Sequence, residues 1–301
     1  MTNIIDKTYE DAIASKLLPG VTAIAGDKNG HTIYSKSLGR SSLKEGQDQA
    51  FTSSTICALA SMTKLMTSVA VLQCVEQGKL DLDKDIRPLL PDMGKYGIIT
   101  GFDDEKNLPI FETDSTPISL RMLLTHTSGH DGGCDWAGRA VEIATGMTLE
   151  EFMQKHICTP LGIEKEFSFW PKTNPEMKNR MADISTLNGQ GEPPAVDEPT
   201  FDILFGGTEC LGGGGGFGSA QGYYTFLSAV FQRDPRVLTV DSYTELFRPQ
   251  LDSKLEEAFN KYLVLSPAHE QFIGMGIPSS IRKTWSLADA SAHASKDYGT
   301  T

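Results

Sequence analysis

The segment over residues 61–77 constrains the fold of this chain most strongly, because a helix there is apolar on nearly every face. Between Lys64 near its start and Glu76 near its end, it carries only uncharged residues, most of them apolar or small. A helix of this kind is stable only when the rest of the chain surrounds it. Gly78 follows, and glycine commonly ends a helix. The sequence therefore predicts a buried helix over residues 61–77.

The composition is that of an ordinary globular protein of 301 residues, of which 39% are hydrophobic and 22% are charged. A chain of this length buries a large core and forms one large domain or two lobes. Its net charge of −12 repels phosphate backbones and anionic lipids. No stretch is apolar for long enough to cross a bilayer. We therefore expect no nucleic-acid partner and no membrane partner.

The cysteines and the N-terminal residues favour a cytoplasmic location. The five cysteines are odd in number and widely spaced, and they contain no C-x-x-C pair. This pattern suits reduced, mostly buried thiols better than a disulfide framework. The N-terminal residues lack a basic stretch followed by a long apolar run, so no signal peptide is predicted.

Hydrophobic periodicity and turn residues predict the order of the secondary-structure elements. The chain opens with a helix over 3–17 and a hairpin of strands over 21–25 and 31–37, joined by an Asn-Gly turn. Further helices are predicted over 118–124, 135–145, 149–156, 220–232 and 243–259. The segments 101–117 and 172–199 are rich in polar and turn residues, and they are predicted to form loops.

The run Ser61-Met62-Thr63-Lys64 places a hydroxyl group and an amine one helical turn apart. A serine hydroxyl becomes a strong nucleophile when a base removes its proton. Positions i and i+3 of a helix share one face, so Lys64 in its neutral form can accept the proton of Ser61. Backbone N–H groups at the helix start would help to hold an acyl oxyanion. The four residues alone also fit an ordinary helix start, with a capping serine and a solvated lysine.

Longer runs around this motif resemble the class C-like serine β-lactamase family. The first run covers residues 59–83 and ends in Leu-Asp-Leu-Asp. Leu-Leu-Thr-His-Thr-Ser-Gly at 123–129 matches the L-L-x-H-T-S-G pattern of the family, and further matches follow at 136–146 and 157–163. Within this family, the chain resembles the fungal secondary-metabolite acyltransferases of the lovastatin-pathway transesterase type. The resemblance extends from the first helix to about residue 285.

The resemblance implies an α/β (α+β) fold of the β-lactamase/transpeptidase type, with a helical region and an antiparallel sheet. It implies one such domain over residues 1–285, internally shortened near 130–134 and truncated at its C-terminal end. The implied function is that of a serine acyl-enzyme acyltransferase or hydrolase in secondary-metabolite biosynthesis, with Ser61 as nucleophile and Lys64 as base. A short acyl ester or thioester would donate the acyl group, and an alcohol or water would accept it. No cofactor and no metal are implied, and the glycine run at 212–216 would form a flexible pocket wall.

The second motif of the family, Tyr-x-Asn, is not found at its usual place. In the family, its tyrosine helps to transfer the proton, and it lies shortly before the segment that Asp135 begins here. Only five residues separate Gly129 from Asp135, so the tyrosine and a long excursion are predicted to be deleted. His130 takes the tyrosine position in a gapless alignment, and histidine is a capable acid or base. Tyr223 and Tyr224 match a different helix and are poor substitutes.

The third motif, Lys or His followed by x and Gly on a late strand, is also predicted to be absent. Lys283 and Thr284 only mimic it, because the small, polar residues 286–301 show no strand pattern and are expected to form a frayed tail. Without late strands, the edge of the N-terminal hairpin would be unpaired. A second hypothesis follows: the chain is a catalytically inactive relative that at most binds a ligand or a partner.

His126, His130 and Cys134 repeat at a spacing of four residues, with Asp131 nearby. On a helix, this pattern could bind zinc. Glycines at 129, 132 and 133 interrupt a helix there, and no fourth ligand is evident. The sequence therefore favours His126 as a structural hydrogen-bonding residue of the turn, and no metal site is predicted.

Overall fold

The computed structural model describes residues 2–95, 97–113, 115–204, 206–273, 277–278 and 281–293. The α-helices are α1 (Thr2–Ala14), α2 (Thr63–Glu76), α3 (Leu120–Leu124), α4 (Gly133–Thr145), α5 (Leu149–Met153), α6 (Thr159–Leu161), α7 (Pro175–Lys178), α8 (Ala220–Phe231), α9 (Val240–Phe247), α10 (Ser253–Leu265) and α11 (Pro267–Ile273). The strands are β1 (Gly20–Gly26), β2 (Thr32–Gly39), β3 (Ile56–Ala58), β4 (Ile98–Asp103), β5 (Leu108–Glu112), β6 (Phe167–Ser168), β7 (Ser185–Thr186), β8 (Val196–Asp197), β9 (Phe217–Ser219), β10 (Arg282–Ser286) and β11 (Asp289–His293).

The chain divides into two compact units. The first combines Met1–Thr63 with Thr148–Leu238, and the second combines Lys64–Met147 with Thr239–Thr301. Among the described elements, none of the helices is both long enough and apolar enough to span a membrane.

The first unit opens as the sequence predicts, with a helix and then a hairpin. β1 and β2 pair antiparallel from Gly20 opposite Gly39 to Ala25 opposite Tyr34. The Tyr34 hydroxyl donates a hydrogen bond to Asp6 of α1 at 2.8 Å, so the helix is fastened to the hairpin.

The first unit also contains a three-stranded antiparallel sheet with the order β3–β9–β6. Gly218 of β9 lies opposite Cys57 of β3 on one side and opposite Phe167 of β6 on the other. α8 begins directly after β9, and Ser219 caps it by accepting a hydrogen bond from the backbone N–H of Gly222 at 3.0 Å. This sheet therefore links the segment before Ser61 to the glycine run before β9.

The prediction of a buried helix after Ser61 is confirmed. Every residue from 66 to 74 in α2 is buried, so the helix has no solvent-facing side along its middle. The α-helix proper begins at Thr63, after a 3-10 turn over Ala60–Met62, and Gly78 follows its end with a left-handed φ of +67°. A glycine at such a position stops a helix without steric cost.

Four predictions about secondary structure are wrong. The segment 172–199, expected to be a loop, contains α7 and the paired strands β7 and β8. The segment 101–117 was expected to be a loop, but most of it belongs to a hairpin of β4 and β5 that reverses at Asn107, where φ is +52°. The single helix expected over 243–259 is two helices, α9 and α10, because Pro249 follows α9 and cannot continue a helix.

The expected strandless tail after residue 285 is also corrected, because β11 pairs antiparallel with β10 from Ser286 opposite Asp289 to Arg282 opposite His293. The remainder of that expected tail, 294–301, lies outside the described residues. Within the described residues, β1 with β2 and β10 with β11 each form a two-stranded sheet.

Arg121 of α3 holds separate segments of the second unit together. Its guanidinium donates hydrogen bonds to both carboxylate oxygens of Asp83, at 2.6 and 2.8 Å, and to Gln250 at 2.6 Å. It also pairs with Glu245 of α9. Hydrogen bonds from Arg248 and then from Arg121 hold the pKa of Glu245 at about 2, below its ordinary 4.5, although burial opposes this. The two carboxylates and the amide are therefore organised around one cation.

We predict that Arg121→Ala lowers the free energy of unfolding by about 2 kcal/mol, since it removes charge-assisted hydrogen bonds to partly buried groups. Urea unfolding at neutral pH measures the change. The matched control is Arg236→Ala: that arginine pairs with Asp234 at 2.6 Å, but its side chain is 60% exposed against 22% for Arg121. The control should cost clearly less, because solvent screens an exposed ion pair. Equal losses in the two variants would contradict the prediction.

The depressed pKa of Glu245 predicts a pH dependence of stability. The folded protein holds this carboxylate ionised down to about pH 2, whereas the unfolded chain protonates it near pH 4.5. Its contribution is therefore complete above the unfolded value and is lost as the pH falls towards the folded value. In Glu245→Gln, the free energy of unfolding should fall less than in the wild type over this acidic range. If the free energy of unfolding of Glu245→Gln falls with pH as steeply as that of the wild type, Glu245 does not contribute to the pH dependence of stability.

Candidate active site

Ser61 lies at the centre of the 3-10 turn over Ala60–Met62, which leads directly into α2. Ser61 is exposed, whereas Leu59 and Thr63 on either side are buried. Ala60 has a φ of +46°, in the left-handed region that costs a residue with a side chain roughly 1–2 kcal/mol. Strain of this kind persists only where the surrounding contacts impose it, and it often occurs at functional sites.

Backbone and hydroxyl hydrogen bonds within the first unit impose the shape of this turn. The backbone N–H of Leu59 donates to the carbonyl oxygen of Gly216 at 2.8 Å. The Thr63 hydroxyl donates to the carbonyl oxygen of Ala60 at 2.7 Å and accepts from the backbone N–H of Gly216 at 3.1 Å. Gly216 therefore holds the turn at Leu59 and at Thr63. The strained conformation of Ala60 is held by the hydrogen bond that its carbonyl oxygen accepts from Thr63.

Tyr223 fixes the other side of the turn. Its hydroxyl donates to the carbonyl oxygen of Met62 at 2.8 Å, across 161 positions of sequence. The carbonyl groups on both sides of Ser61, those of Ala60 and Met62, are therefore hydrogen-bonded within the first unit. The sequence assigned Tyr223 to a different helix, which is correct, but it gave no local signal that this tyrosine reaches the Ser61 turn.

The glycine run at 212–216 was predicted to form a flexible pocket wall, but Gly216 has a more specific role. A Cβ atom at Gly216 would lie 2.7 Å from Cε2 of Phe167 and 2.8 Å from Oγ1 of Thr63. At Gly214, the nearest atoms would be the carbonyl group of Ala60 at 3.8 Å and beyond, which is ordinary contact. Glycine is therefore needed at 216 because the backbone passes so close to the turn.

Lys64 is the second residue of α2, three positions after Ser61 in the same continuous helical segment. It is half-buried and borders a cavity of about 10 Å³ inside the second unit. A cavity of that volume has room for about one water molecule. Its lining consists of residues from α2, α3, α4 and the β10 region: Lys64, Ser68, Leu124, His126, Cys134, Trp285, Leu287 and Ala288.

Trp285 brings a late strand to this cavity, so the prediction that no such strand exists is wrong. The backbone N–H of Gln250 donates to the carbonyl of Trp285 at 2.8 Å. The Asn260 side chain pairs with the backbone of Lys283, at 2.6 and 2.9 Å. Nε1 of Trp285 is buried and has no hydrogen-bond partner among the described residues. An unsatisfied buried donor of this kind is unusual and marks a place where a ligand or water can bind.

The His–Cys pattern does not form the helical spacing that zinc would need. His126 follows the end of α3 and Cys134 lies in α4, while His130 lies in the turn between them and does not line the cavity. Among the described residues, no group of three or more His, Cys, Asp or Glu side chains has a metal-binding arrangement.

Two cysteines are poor nucleophiles in this structure. Burial raises the pKa of both Cys57 and Cys74 to about 11. A thiol reacts as its thiolate, so neither residue competes with Ser61 at neutral pH.

A larger cavity of about 310 Å³ lies inside the first unit. Ala58 and Phe217, which pair across β3 and β9, both border it, and so do Lys44 and Asp183. Cavities of this volume hold small organic molecules. The cavity therefore adjoins the two strands that carry the Ser61 turn.

The chain is similar in sequence to a known family and to characterised fungal proteins. The beta-lactamase family model matches residues 5–254. The ML-236A carboxylate methylbutanoyltransferase of Penicillium citrinum is 30% identical, with 95% of this chain and 78% of that protein aligned. The lovastatin esterase of Penicillium rubens is also 30% identical, over 82% of this chain and 73% of the esterase.

The aligned stretch with the Penicillium citrinum protein runs over 334 positions, which is longer than the 301 residues of this chain. That relative therefore contains residues that have no counterpart here.

Solved structures agree with these sequence matches. A mutant of the simvastatin synthase of Aspergillus terreus superimposes with a TM-score of 0.87 and 30% identity, covering 97% of this chain and 81% of the other. The unliganded selenomethionyl form of that synthase gives a TM-score of 0.86 at 28% identity, with 97% and 82% covered. The β-lactamase/transpeptidase-like fold, with mixed helices and antiparallel sheets, is thereby confirmed.

We predict that Gly216→Ala destabilises the protein by about 1–3 kcal/mol, because its Cβ must displace Phe167 or Thr63. Thermal unfolding measures the loss. Gly214→Ala in the same glycine run is the matched control and should unfold close to the wild-type temperature, since its Cβ meets no atom closer than 3.8 Å. If both variants unfold at the wild-type temperature, Gly216 does not hold the turn.

Proposed function

Because the chain belongs to the beta-lactamase family, we propose that it is an acyltransferase or esterase that forms an acyl-enzyme on Ser61. The proposal rests on the turn that presents Ser61, which is strained at Ala60 and held by hydrogen bonds on both sides of the serine. Ala60 is held at a φ of +46° by contacts that leave Ser61 exposed at the head of a buried helix. Relatives with 30% identity carry acyltransferase and esterase names.

The proposed reaction has two steps. In the first, the Ser61 oxygen attacks the carbonyl carbon of an ester or thioester, and Lys64 takes the serine proton and passes it to the leaving group, which departs as the alcohol or thiol. In the second, an alcohol or water attacks the acyl-enzyme and releases Ser61. Backbone N–H groups at the start of a helix are suited to stabilise the negative oxygen that develops in each step.

The substrates that we propose are small molecules. The relatives include a methylbutanoyltransferase and an esterase, which supports a short, branched acyl group and either an alcohol or water as acceptor. Lys64 and Ser61 need no cofactor for this chemistry. A chain of net charge −12 favours such substrates over polyanions, and we propose a role in secondary-metabolite biosynthesis.

We predict that incubation with a methylbutanoyl thioester adds one methylbutanoyl group to the protein, and that Ser61→Ala abolishes this adduct. Intact-mass spectrometry, followed by peptide mapping, detects and locates the group. The matched control is Ser15→Ala, which removes an exposed serine after α1 and should leave the adduct unchanged.

The same experiment distinguishes the enzyme from the inactive relative proposed as the second hypothesis. A folded wild-type protein that gains no Ser61-dependent mass from the thioester or from simple esters would favour the inactive relative. Circular dichroism of each variant verifies that the comparison is made between folded proteins.

A further inference from the structure

The ribbon formed by β4 and β5 exposes apolar side chains on both of its faces. Ile98 and Ile99 are neighbours in β4, so their side chains point to opposite faces, and both residues are exposed. Within the described residues, the two strands form a sheet of their own with no third strand. A two-stranded ribbon of this kind is marginally stable unless a further element packs against it. The ribbon is therefore a candidate interaction surface of the second unit.

A β-bulge gathers apolar side chains on one face of the ribbon. Residues directly opposite each other in an antiparallel pair share a face. Ile99 lies opposite Phe111 and Phe102 lies opposite Pro109, and the latter residues of both pairs share a face because they are two positions apart in β5. In a regular strand, Ile99 and Phe102 would point to opposite faces, but Thr100 is an extra residue between them and reverses the alternation. The four paired side chains therefore form one surface, the apolar ribbon face.

The two faces of the ribbon differ in composition. The apolar ribbon face carries no charged side chain, and Ile99, Phe102 and Phe111 each keep between 44% and 64% of their surface exposed. The opposite face mixes apolar residues with carboxylates, and its members are Ile98, Gly101, Asp103, Leu108, Ile110 and Glu112. An exposed apolar patch bordered by polar residues is typical of an interaction site. The apolar ribbon face is therefore the side on which a partner would bind.

The charge around this face is negative. Asp103, Asp104 and Glu105 lie where the ribbon reverses, and Glu112 ends β5. The one lysine of the segment 97–113, Lys106, pairs with Asp103 at 2.8 Å. Among the described residues, the other three carboxylates form no ion pair. This charge opposes the approach of a second copy of the acidic chain or of anionic lipid, and it favours a basic partner.

We propose that the apolar ribbon face binds an amphipathic helix of a partner protein, with lysines or arginines on both sides of the apolar stripe of that helix. Two strands about 5 Å apart form a face roughly 10 Å wide with their side chains, which matches the width of one helix. The apolar stripe covers Ile99 and Phe102, and the cations lie near the carboxylates of Glu105 and Glu112. A helix packed on a sheet is an ordinary two-layer arrangement, and it supplies the element that the ribbon lacks.

The test uses a fluorescent peptide of about 18 leucine and lysine residues, with the leucines at helical spacing. Fluorescence anisotropy measures its affinity for the full chain. Ile99→Thr should weaken binding roughly tenfold, because it removes apolar surface from the contact. The matched control is Ile98→Thr, which changes the adjacent exposed isoleucine on the opposite face and should bind as the wild type does. Threonine is favoured in strands, so both variants should keep the ribbon.

The contribution of charge is measured separately. Affinity should fall as the salt concentration rises, because salt screens the attraction between exposed charges. The double variant Glu105→Gln, Glu112→Gln should bind the peptide more weakly and with less dependence on salt. A peptide with glutamate in place of every lysine should show no binding.

The other outcomes overturn the proposal. They are an absence of binding by the leucine–lysine peptide, equal binding by Ile99→Thr and the wild type, and an equal loss of binding in Ile98→Thr and Ile99→Thr. Sedimentation velocity of the chain alone and co-sedimentation with phosphatidylcholine vesicles test other occupants, and a dimer or a vesicle complex that Ile99→Thr abolishes assigns the face to a second copy or to lipid. Circular dichroism verifies the fold of each variant, and Phe102→Thr on the same face replaces Ile99→Thr if that variant is poorly folded.

Discussion

The hydrogen bonds between Gly216 and the segment from Leu59 to Thr63 are the constraint on which the candidate site depends. Gly216 accepts from the N–H of Leu59 and donates to the hydroxyl of Thr63, so one residue of the glycine run fixes both ends of a five-residue turn. The strained φ of Ala60 follows from this constraint. The Ser61 side chain is not one of the groups that make these bonds. The turn is therefore shaped by hydrogen bonds of its neighbouring residues.

The buried helix α2 continues the chain on the C-terminal side of the Ser61 turn and fixes the position of Lys64. Residues 66–74 are all buried, so the direction of the helix is fixed by packing along its whole circumference. Lys64 lies at its head, half-buried beside a cavity that holds about one water molecule. A rigid helix is a better support for a proton acceptor than a loop, because small displacements of a catalytic group are costly. The apolar sequence of α2 therefore stabilises the helix and fixes the position of the candidate base Lys64.

Local sequence signals were enough to predict the elements nearest to Ser61, but not those that long-range contacts create. Periodicity and turn residues gave α1, the first hairpin and α2, and the Ser-x-x-Lys spacing gave Ser61 and Lys64 as candidates. β11 was missed because its small and polar residues have weak strand propensity; its partner β10 is stabilised by the side chain of Asn260 and the backbone of Gln250. The close approach of Gly216 to Thr63 spans 153 positions, so no local pattern could reveal it.

Backbone strain alone does not distinguish an active enzyme from an inactive relative, as Arg233 demonstrates. Arg233, at the end of α8, and His126, at the end of α3, have the same φ of +56°, and both residues are exposed. What separates His126 is its position beside Lys64 and Trp285 around one small cavity. Position in a cavity shared with Lys64, rather than backbone strain, is therefore what distinguishes His126 from Arg233.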